Sequence, residues 1–383
     1  MKLNINELKK LTNKLNMAIE KSKLNPKSGW IELDANTEGI CFKVSNYDYY
    51  MEAYISAESY VDESNTFNAT VLAETFIPLV SKLDVETIDI YEKLNALIID
   101  TNTSSYTFPI IKELGITKKL DTIDFNATTN SFTVDSNILT SIADTNAKGL
   151  IDSIYSSDIQ QYIYVDKNGA ITFTENMYVN DFKIDTNNVN FKILLTATQA
   201  KLLEIFKNEK DITITLEQLP TYEEEQTVTN KVKISNNLIT LILITKPESY
   251  VASFPSIKLR ALAENDGQTY ITIDKKQLDK ALARLMVFDK KFDITVMDYS
   301  KIVFHENELE LISVKNKNFE KIQYINSQNA IEHESIIRFA DLIKQLKAIT
   351  SKELNISYGS RPAIVINSEI KQIIPEIRLK GKV

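Results

Sequence analysis

The sequence repeats one pattern three times: an amphipathic helical segment, a short charged turn, and a segment whose apolar residues alternate. The copies span Ala73–Ile90, Thr198–Leu216 and Phe339–Tyr358. Repetition of one helix–turn–strand unit at intervals of roughly 125 to 140 residues predicts three similar domains. The alternating apolar pairs of the three copies are Ile88/Ile90, Ile212/Ile214 and Leu354/Ile356.

A second amphipathic segment precedes each copy by roughly 65 residues, which predicts six helices in three matched pairs. Between the helices, β-branched and aromatic residues alternate with period two, as in antiparallel strands with one buried face. The segment Asp166–Gly169 predicts a hairpin turn among them. We therefore predict an α+β fold, with two helices packed on antiparallel sheets in each domain. The helices that precede the three copies span 6–21, 136–148 and 275–288. The predicted domains span 1–118, 122–258 and 268–383.

The segments between the predicted domains lack periodicity and accumulate charged or small residues. Lys112–Thr122 and Lys258–Gln268 are therefore predicted linkers. Pro78 lies inside the predicted helix of the first copy, where a proline kinks a helix or delays its start. The sequence leaves both outcomes open.

The composition argues against an enzyme and against a secreted protein. The chain has one cysteine, two histidines and eight glycines, and it contains no GxGxxG, Walker, HExxH or CxxC pattern. Cys41 is interpreted as a buried thiol, and neither His305 nor His333 is given a catalytic or metal-binding role. Without a signal-like or membrane-spanning segment, the protein is predicted to be soluble and cytoplasmic, with no cofactor.

Two acidic clusters are candidates for a divalent-metal site. Asp84, Glu86 and Asp89 accompany a predicted helix-to-strand turn, and Glu223–Glu225 lie in a predicted hairpin tip. Carboxylates in such turns are usually solvated, so we interpret both clusters as surface turns and predict no metal site.

The chain carries a formal charge of −8, yet three predicted helices have a basic stripe beside their apolar face. On one helix such a stripe is typical of a solvated surface. Its recurrence on matched helices favours a shared positive surface directed at an anionic partner such as DNA. The stripes comprise Lys10, Lys14 and Lys21, then Lys276, Lys280 and Arg284, and finally Lys344 and Lys347.

The chain resembles the bacterial-type DNA polymerase sliding clamp, the β subunit of the replicative polymerase, in a divergent form compatible with a phage origin. The resemblance covers essentially the whole length. It is strongest in Asp341–Gly359 and Ile373–Leu379, which are similar to the family's final helix, strand and C-terminal segment. Phe67–Leu83 and Ser104–Phe108 are similar to the end of its first domain.

The resemblance implies a head-to-tail homodimer that closes into a ring around duplex DNA. Such a ring performs no bond chemistry; it tethers a DNA polymerase, and the polymerase and a clamp loader are its expected protein partners. Non-specific phosphate contacts are expected on the helices that line the hole. The residues expected there are Lys10, Lys14, Lys23, Lys27, Lys276, Lys280, Arg284, Lys344 and Lys347.

Family members bind partner peptides in an apolar cleft between the second and third domains. This chain departs from the family pattern in 174–179, at Asp341, and at Glu376, an apparent extra residue in the C-terminal segment. The resemblance implies a cleft formed by Met177, Tyr178, Val179, Pro247, Ile374, Pro375, Ile377, Arg378 and Leu379. It implies a dimer interface formed by Tyr106, Phe108, Met286 and Val287.

Two other classes of protein are consistent with parts of the sequence. A β-rich structural or adhesion protein shares the bias towards Asn, Thr and Ile, and it would not bind duplex DNA. A metal-dependent nuclease accounts for acidic clusters near basic helices, and it would cleave DNA when a divalent cation is added. The matched helix pairs favour the clamp over both.

Overall fold

The structure is a computed structural model of a single chain. It describes residues 1–20, 22, 24–58, 66–126, 130–150, 157–174, 177–189, 191–217, 231–263, 269–289, 299–313, 317–347, 349–359, 362–368 and 370–377. Within these ranges no helix is long and apolar enough to cross a membrane.

All six predicted helices are present in the described residues. The first begins at Ile5 because the Asn4 side chain accepts hydrogen bonds from the Asn6 and Glu7 amides, at 3.0 and 3.3 Å. The helices are α1 Ile5–Met17, α2 Ala73–Lys82, α3 Ser136–Ser141, α4 Lys148–Leu150, α5 Ala197–Leu202, α6 Glu248–Ala252, α7 Ser256–Ala263, α8 Lys275–Asp289 and α9 Phe339–Leu346.

The strands are joined mainly by short turns, and the hairpin predicted at Asp166–Gly169 is confirmed by the pairing of these two residues. They are β1 Lys2–Asn4, β2 Trp30–Ala35, β3 Gly39–Ser45, β4 Tyr49–Ser56, β5 Phe67–Leu72, β6 Thr87–Lys93, β7 Ala96–Asp100, β8 Ser105–Pro109, β9 Lys112–Glu113, β10 Ile116–Thr117, β11 Ser131–Val134, β12 Ile163–Asp166, β13 Gly169–Phe173, β14 Met177–Asp181, β15 Lys192–Leu195, β16 Ile212–Glu217, β17 Lys231–Ser235, β18 Ile239–Ile244, β19 Tyr270–Asp274, β20 Ser300–Phe304, β21 Glu308–Ser313, β22 Phe319–Gln323, β23 Asn326–Gln328, β24 His333–Ile337, β25 Glu353–Ser357, β26 Ala363–Asn367 and β27 Lys371–Pro375.

Each predicted repeat folds as a helix followed by a strand: α2 and β6, α5 and β16, and α9 and β25. In the second repeat a 3-10 turn, Leu203–Phe206, extends the helix. The six alternating apolar residues of these strands are each at most 4% exposed, which confirms the predicted burial. Their burial explains why the pattern recurs, since each strand must present one apolar face to its helix.

Backbone contacts group the chain into two compact units. The first unit comprises Met1–Asn137, Asp185–Asn190 and Leu202–Glu248, and the second comprises Ile138–Ile184, Phe191–Lys201 and Ser249–Val383. The three predicted domain ranges are not delimited by these units and stay a prediction.

The first unit contains a four-stranded sheet, ordered β1-β6-β7-β8, and an eight-stranded sheet, ordered β11-β16-β17-β18-β4-β3-β2-β5. The larger sheet is continuous because β18 pairs with β4, from Ile239 opposite Ala53 to Leu243 opposite Tyr49. Strands from the first and second predicted domains thus share one sheet.

The second unit contains a nine-stranded sheet, ordered β15-β12-β13-β14-β27-β26-β25-β19-β23, and a four-stranded sheet, ordered β22-β21-β20-β24. Pairing of β14 with β27 joins strands of the second and third predicted domains. Helices α8 and α9 pack Leu278, Leu282, Leu342 and Leu346 into the core between these sheets.

One local feature differs from the sequence predictions, and two others add detail that the sequence left open. Helix α7 occupies part of the predicted linker, because Leu259 and Ala263 pack into the core of the second unit. Helix α2 begins at Ala73 and continues through Pro78, so the delayed start is excluded. Between α3 and α4 the chain forms a π-helix, Ile142–Ala147.

Candidate functional site

Four of the predicted DNA-facing lysines have exposed side chains. In the described residues none of the four has a carboxylate partner. On α1 the buried face consists of Ile5, Leu8, Leu11 and Leu15, which leaves the neighbouring cation in solvent. On α8 and at the end of α9, the leucine side chains are likewise buried and the lysines of this group are exposed. The four residues are Lys10, Lys276, Lys280 and Lys347.

Two other predicted cations are held by carboxylates of the first unit. The Lys14 ammonium donates to the Ile205 carbonyl at 2.7 Å and forms an ion pair with Glu209. Glu209 also accepts from the Asn236 amide at 2.9 Å, so Lys14 belongs to a partly buried network. Lys27 lies 2.7 Å from both carboxylate oxygens of Asp121. These carboxylates offset the charges of Lys14 and Lys27, so both lysines attract phosphates less strongly than an unpaired lysine would.

Arg284 is bound by Glu320 of β22. Its Nε and one terminal nitrogen donate to the two carboxylate oxygens at 2.7 and 2.8 Å. This bidentate contact raises the pKa of Arg284 and lowers the pKa of Glu320. Lys344 is half-buried, and Lys23 lies outside the described residues.

Helices α8 and α9 border a cavity of about 300 Å³ within the second unit. Ala283, Ile343 and Leu346 supply the apolar part of its wall, and Lys275 is held there by Asp279 at 2.7 Å. Lys347 also lies at this cavity, so an exposed cation is placed beside the groove between the two helices. The lining residues are Lys275, Asp279, Ala283, Ile343, Leu346 and Lys347.

Four described residues of the predicted peptide cleft are buried within the second unit. Met177, Tyr178 and Val179 lie on β14, directly beside β27, and they are at most 4% exposed. Ile374 is equally buried. Tyr178 packs so closely on Gly149 that an added Cβ there would lie 2.7 Å from its ring. These four residues therefore contribute to the core of the second unit, and the predicted peptide cleft stays a prediction.

The remaining cleft residues differ in exposure. Pro375 is exposed, Ile377 is half-buried, and both follow the buried part of β27. Pro247 is half-buried and belongs to the first unit. Arg378 and Leu379 lie outside the described residues.

Four partly buried apolar residues, which the sequence reasoning missed, border the same core. They are Ile159, Phe173, Tyr250 and Ala363, and they pack against the cluster that contains Met177 and Ile373. Ala363 pairs with Pro375, and Phe173 pairs with Met177 at the adjoining strand ends. We call these four residues and Pro375 the strand-end patch. Phe173, Ala363 and Pro375 lie at the ends of strands, and this position is the signal that could have identified them. Ile159 lies in a 3-10 turn and Tyr250 lies in α6, so no strand pattern marks these two residues.

Tyr250 of the strand-end patch is fixed by two contacts. Its hydroxyl donates to Asp158, and its ring meets the Tyr162 ring edge-on with centroids 5.8 Å apart. Desolvation and the bond to Asp158 raise the pKa of Tyr250 to about 12, so the hydroxyl stays protonated at neutral pH.

The predicted dimer residues lie at the ends of elements. Strand β8 is the last strand of its described sheet, with Phe108 buried and Tyr106 half-buried. In the second unit, Met286 packs against the core, whereas Val287 is 64% exposed. Strand β22, which carries Glu320, is likewise the last strand of its described sheet.

The side chains that could react or bind a metal, Cys41 and His305 among them, lie in surroundings typical of structural residues. Among the described residues, no three His, Cys, Asp or Glu side chains are grouped as metal ligands. Burial raises the pKa of the Cys41 thiol to about 12, which keeps it protonated and unreactive. His305 lies between Glu310 and Glu332, at 3.2 and 3.1 Å, and its hydrogen bonds to them raise its pKa.

The helix–turn–strand repeats on continuous antiparallel sheets define the DNA-clamp fold, and the predicted α+β fold class is confirmed. The structure matches solved DNA polymerase III β subunits over 99% of this chain. The β subunit from Thermotoga maritima has a TM-score of 0.77, 15% sequence identity, and 99% coverage of its own chain.

Two further structures extend the comparison. The DNA polymerase sliding clamp from Bacillus subtilis has a TM-score of 0.73 and 15% identity, with 99% of this chain and 98% of that chain covered. The Helicobacter pylori β clamp bound to a DNA ligase peptide has a TM-score of 0.70 and 13% identity, with 99% and 100% covered. No protein-family model and no curated protein sequence matches the chain. At these identities the likeness establishes the fold.

Proposed function

We propose that this chain is a DNA sliding clamp, a non-enzymatic processivity factor that encircles duplex DNA and tethers a DNA polymerase. The observation that carries the proposal is the match to β-subunit clamps over essentially the full length of both chains. A fold can serve several functions, so the surfaces of this chain must supply the rest of the argument.

The exposed lysines on α1, α8 and α9 support the DNA contact. Lys10, Lys276, Lys280 and Lys347 offer mobile positive charges, and in the described residues no carboxylate neutralises them. Such charges attract phosphates without reading bases, which suits a protein that slides. The overall charge of −8 opposes tight binding elsewhere on the surface.

The homodimer is supported by two strands that lie at the edges of their sheets in the described part of the chain. Strands β8 and β22 each end their described sheets, and exposed edges of this kind readily pair with another chain. Val287 adds an exposed apolar side chain near the end of α8. In the proposed ring, β8 of one protomer meets the α8 and β22 side of the next, and the contact occurs twice.

The strand-end patch is the proposed docking site for partner proteins, including the polymerase and the clamp loader. Its apolar residues are only partly buried, and Tyr250 adds a rigid aromatic ring. A short peptide with a bulky apolar anchor fits such a surface. The related H. pylori clamp has been solved with a DNA ligase peptide, which supports peptides as the class of partner.

Electron microscopy of the purified protein tests the proposal directly. We expect closed rings made of two chains, with a central hole wide enough for duplex DNA. Particles without a hole, at concentrations where light scattering reports a dimer, would contradict the clamp function. Incubation with duplex DNA and Mg²⁺ separates a clamp from a nuclease, because a clamp leaves the DNA intact.

A further inference from the structure

The C-terminal segment 375–377 is fastened to strand β24 of the second unit by Glu376. The Ser335 hydroxyl donates to Glu376 Oε1 at 2.6 Å, and His333 Nε2 lies 3.1 Å from the same oxygen. The Glu376 amide donates to the Pro362 carbonyl at 2.9 Å, and the Ile377 amide donates to the Ile336 carbonyl at 2.7 Å. Both the side chain and the backbone thus fix the segment.

The groups that hold Glu376 are themselves rigid. Ser335 is fully buried, and the His333 ring stacks on Tyr358 with centroids 5.8 Å apart. Tyr358 stacks in turn on Phe304, with centroids 3.7 Å apart and planes 12° from parallel. Ser335 and His333 are therefore held in place by their own packing, so their bonds to Glu376 fix its position.

The backbone contact also covers part of a sheet edge. Among the described strands, β24 is the last strand of its four-stranded sheet. Ile377 bonds to the outer edge of β24 at Ile336, so the segment passes from the nine-stranded sheet to the four-stranded sheet. An edge strand covered in this way is less available for unwanted pairing.

We propose that Glu376 is a positioning residue that holds Pro375 and Ile377 as a preformed apolar wall of the partner-binding surface. The inference rests on the proposed function, because it assumes that partners dock at the strand-end patch. A segment that is already ordered loses little conformational entropy when a peptide binds, so the latch strengthens binding without contacting the peptide.

Three substitutions in the full-length protein test the proposal. Glu376→Ala removes the acceptor, whereas Glu376→Gln keeps an oxygen that can accept from Ser335. Glu334→Ala is the matched control, because Glu334 lies on the same strand and pairs instead with Lys301 at 2.8 Å. The two measurements are hydrogen exchange at the Ile377 amide and affinity for a peptide probe. The probe is selected on the unmodified protein from a random-sequence decapeptide library.

We expect Glu376→Ala to speed exchange at Ile377 at least tenfold and to weaken peptide binding about tenfold, with little change in Tm. Glu376→Gln should restore most of both properties, and Glu334→Ala should change neither. Unchanged exchange in Glu376→Ala would show that the latch does not fix the segment.

The two measurements also separate this inference from the function on which it rests. Faster exchange with unchanged peptide affinity would show that the segment is latched but forms no wall for a partner, which overturns the positioning role. Failure to select any peptide on the unmodified protein would overturn the partner surface itself, and the positioning role with it.

Discussion

At the scale of residues, chemically identical lysines on one helix have different surroundings. Lys14 bonds to Ile205 and Glu209 in a partly buried network, whereas Lys10 is exposed on the same α1. Helical periodicity places both beside the apolar face, but it does not reveal that the segment containing Glu209 packs against Lys14. That contact joins residues far apart in the chain, so local sequence could not predict it.

The first prediction follows from this difference. Lys14→Met should lower the free energy of unfolding by about 2 kcal/mol, because it removes a charge-assisted hydrogen bond and leaves Glu209 with a weaker partner. Lys10→Met, the control on the same helix, should leave stability within about 0.5 kcal/mol and weaken DNA binding. Urea unfolding and DNA titration at low salt check both effects. Equal stability of the two variants would refute the structural role of Lys14.

His305 provides the second prediction, which concerns pH. Its bonds to Glu310 and Glu332 raise its pKa above the unfolded value of about 6.5, so protonation favours the folded state. This contribution is complete below the unfolded pKa and is lost as the pH rises through the folded pKa. Thermal unfolding is measured between about pH 5.5 and 8.5 for the unmodified protein and for His305→Gln. The amount by which the Tm of the unmodified protein exceeds that of His305→Gln should decrease as the pH rises. A constant difference would mean that His305 is not held as the charged form.

At the scale of elements, hydrophobic periodicity predicted the long helices better than it predicted the structure of the segments between the domains. The buried face of α1 follows directly from the spacing of Leu8, Leu11 and Leu15. Helix α7 was missed because a helix this short, with only Leu259 and Ala263 buried, shows no full amphipathic repeat. Within the other predicted linker, the Leu120 amide donates to the buried Glu32 carboxylate at 2.8 Å, a restraint that composition does not reveal.

The exposure of the predicted cleft residues also depended on contacts between elements. The apolar run Met177–Val179 fits either an open cleft or a buried strand, and the sequence did not decide between them. Pairing of β14 with β27 and packing of Tyr178 on Gly149 place these residues in the core. The strand-end patch then remains as the partly exposed apolar surface at this edge.

The third prediction concerns the end of α8. Val287→Glu should convert the proposed dimer into folded monomers, because each junction would bury a carboxylate without a partner. Leu114→Glu is the control, since Leu114 is 98% exposed in the first unit and belongs to no proposed interface. Light scattering at micromolar concentration measures the mass, and circular dichroism checks folding. A Val287→Glu protein that remains dimeric would exclude this part of α8 from the interface.

At the scale of the whole molecule, two wide sheets connect the repeated modules. The β4–β18 and β14–β27 pairs join strands from different predicted domains. The repeats predicted how many modules to expect, and the alternation predicted which strands have a buried face. Neither shows which strand ends meet, because strands with the same alternation are interchangeable in sequence and only long-range packing selects the pairs.

The last prediction separates local phosphate contacts from the effect of overall charge. Reversing Lys276, Lys280 and Lys347 to Glu changes the formal charge from −8 to −14, since each reversal subtracts two. Reversing the exposed residues Lys119, Lys192 and Lys258, which lie on other segments than α8 and α9, makes the same change in formal charge. If the first set contacts phosphates, its variant should lose DNA affinity for all sequences equally, and its salt slope should fall by about 3 for each protomer that contacts the DNA. The second variant should keep its slope. Equal slopes in titrations from low to moderate salt would refute a DNA-contacting surface on these two helices.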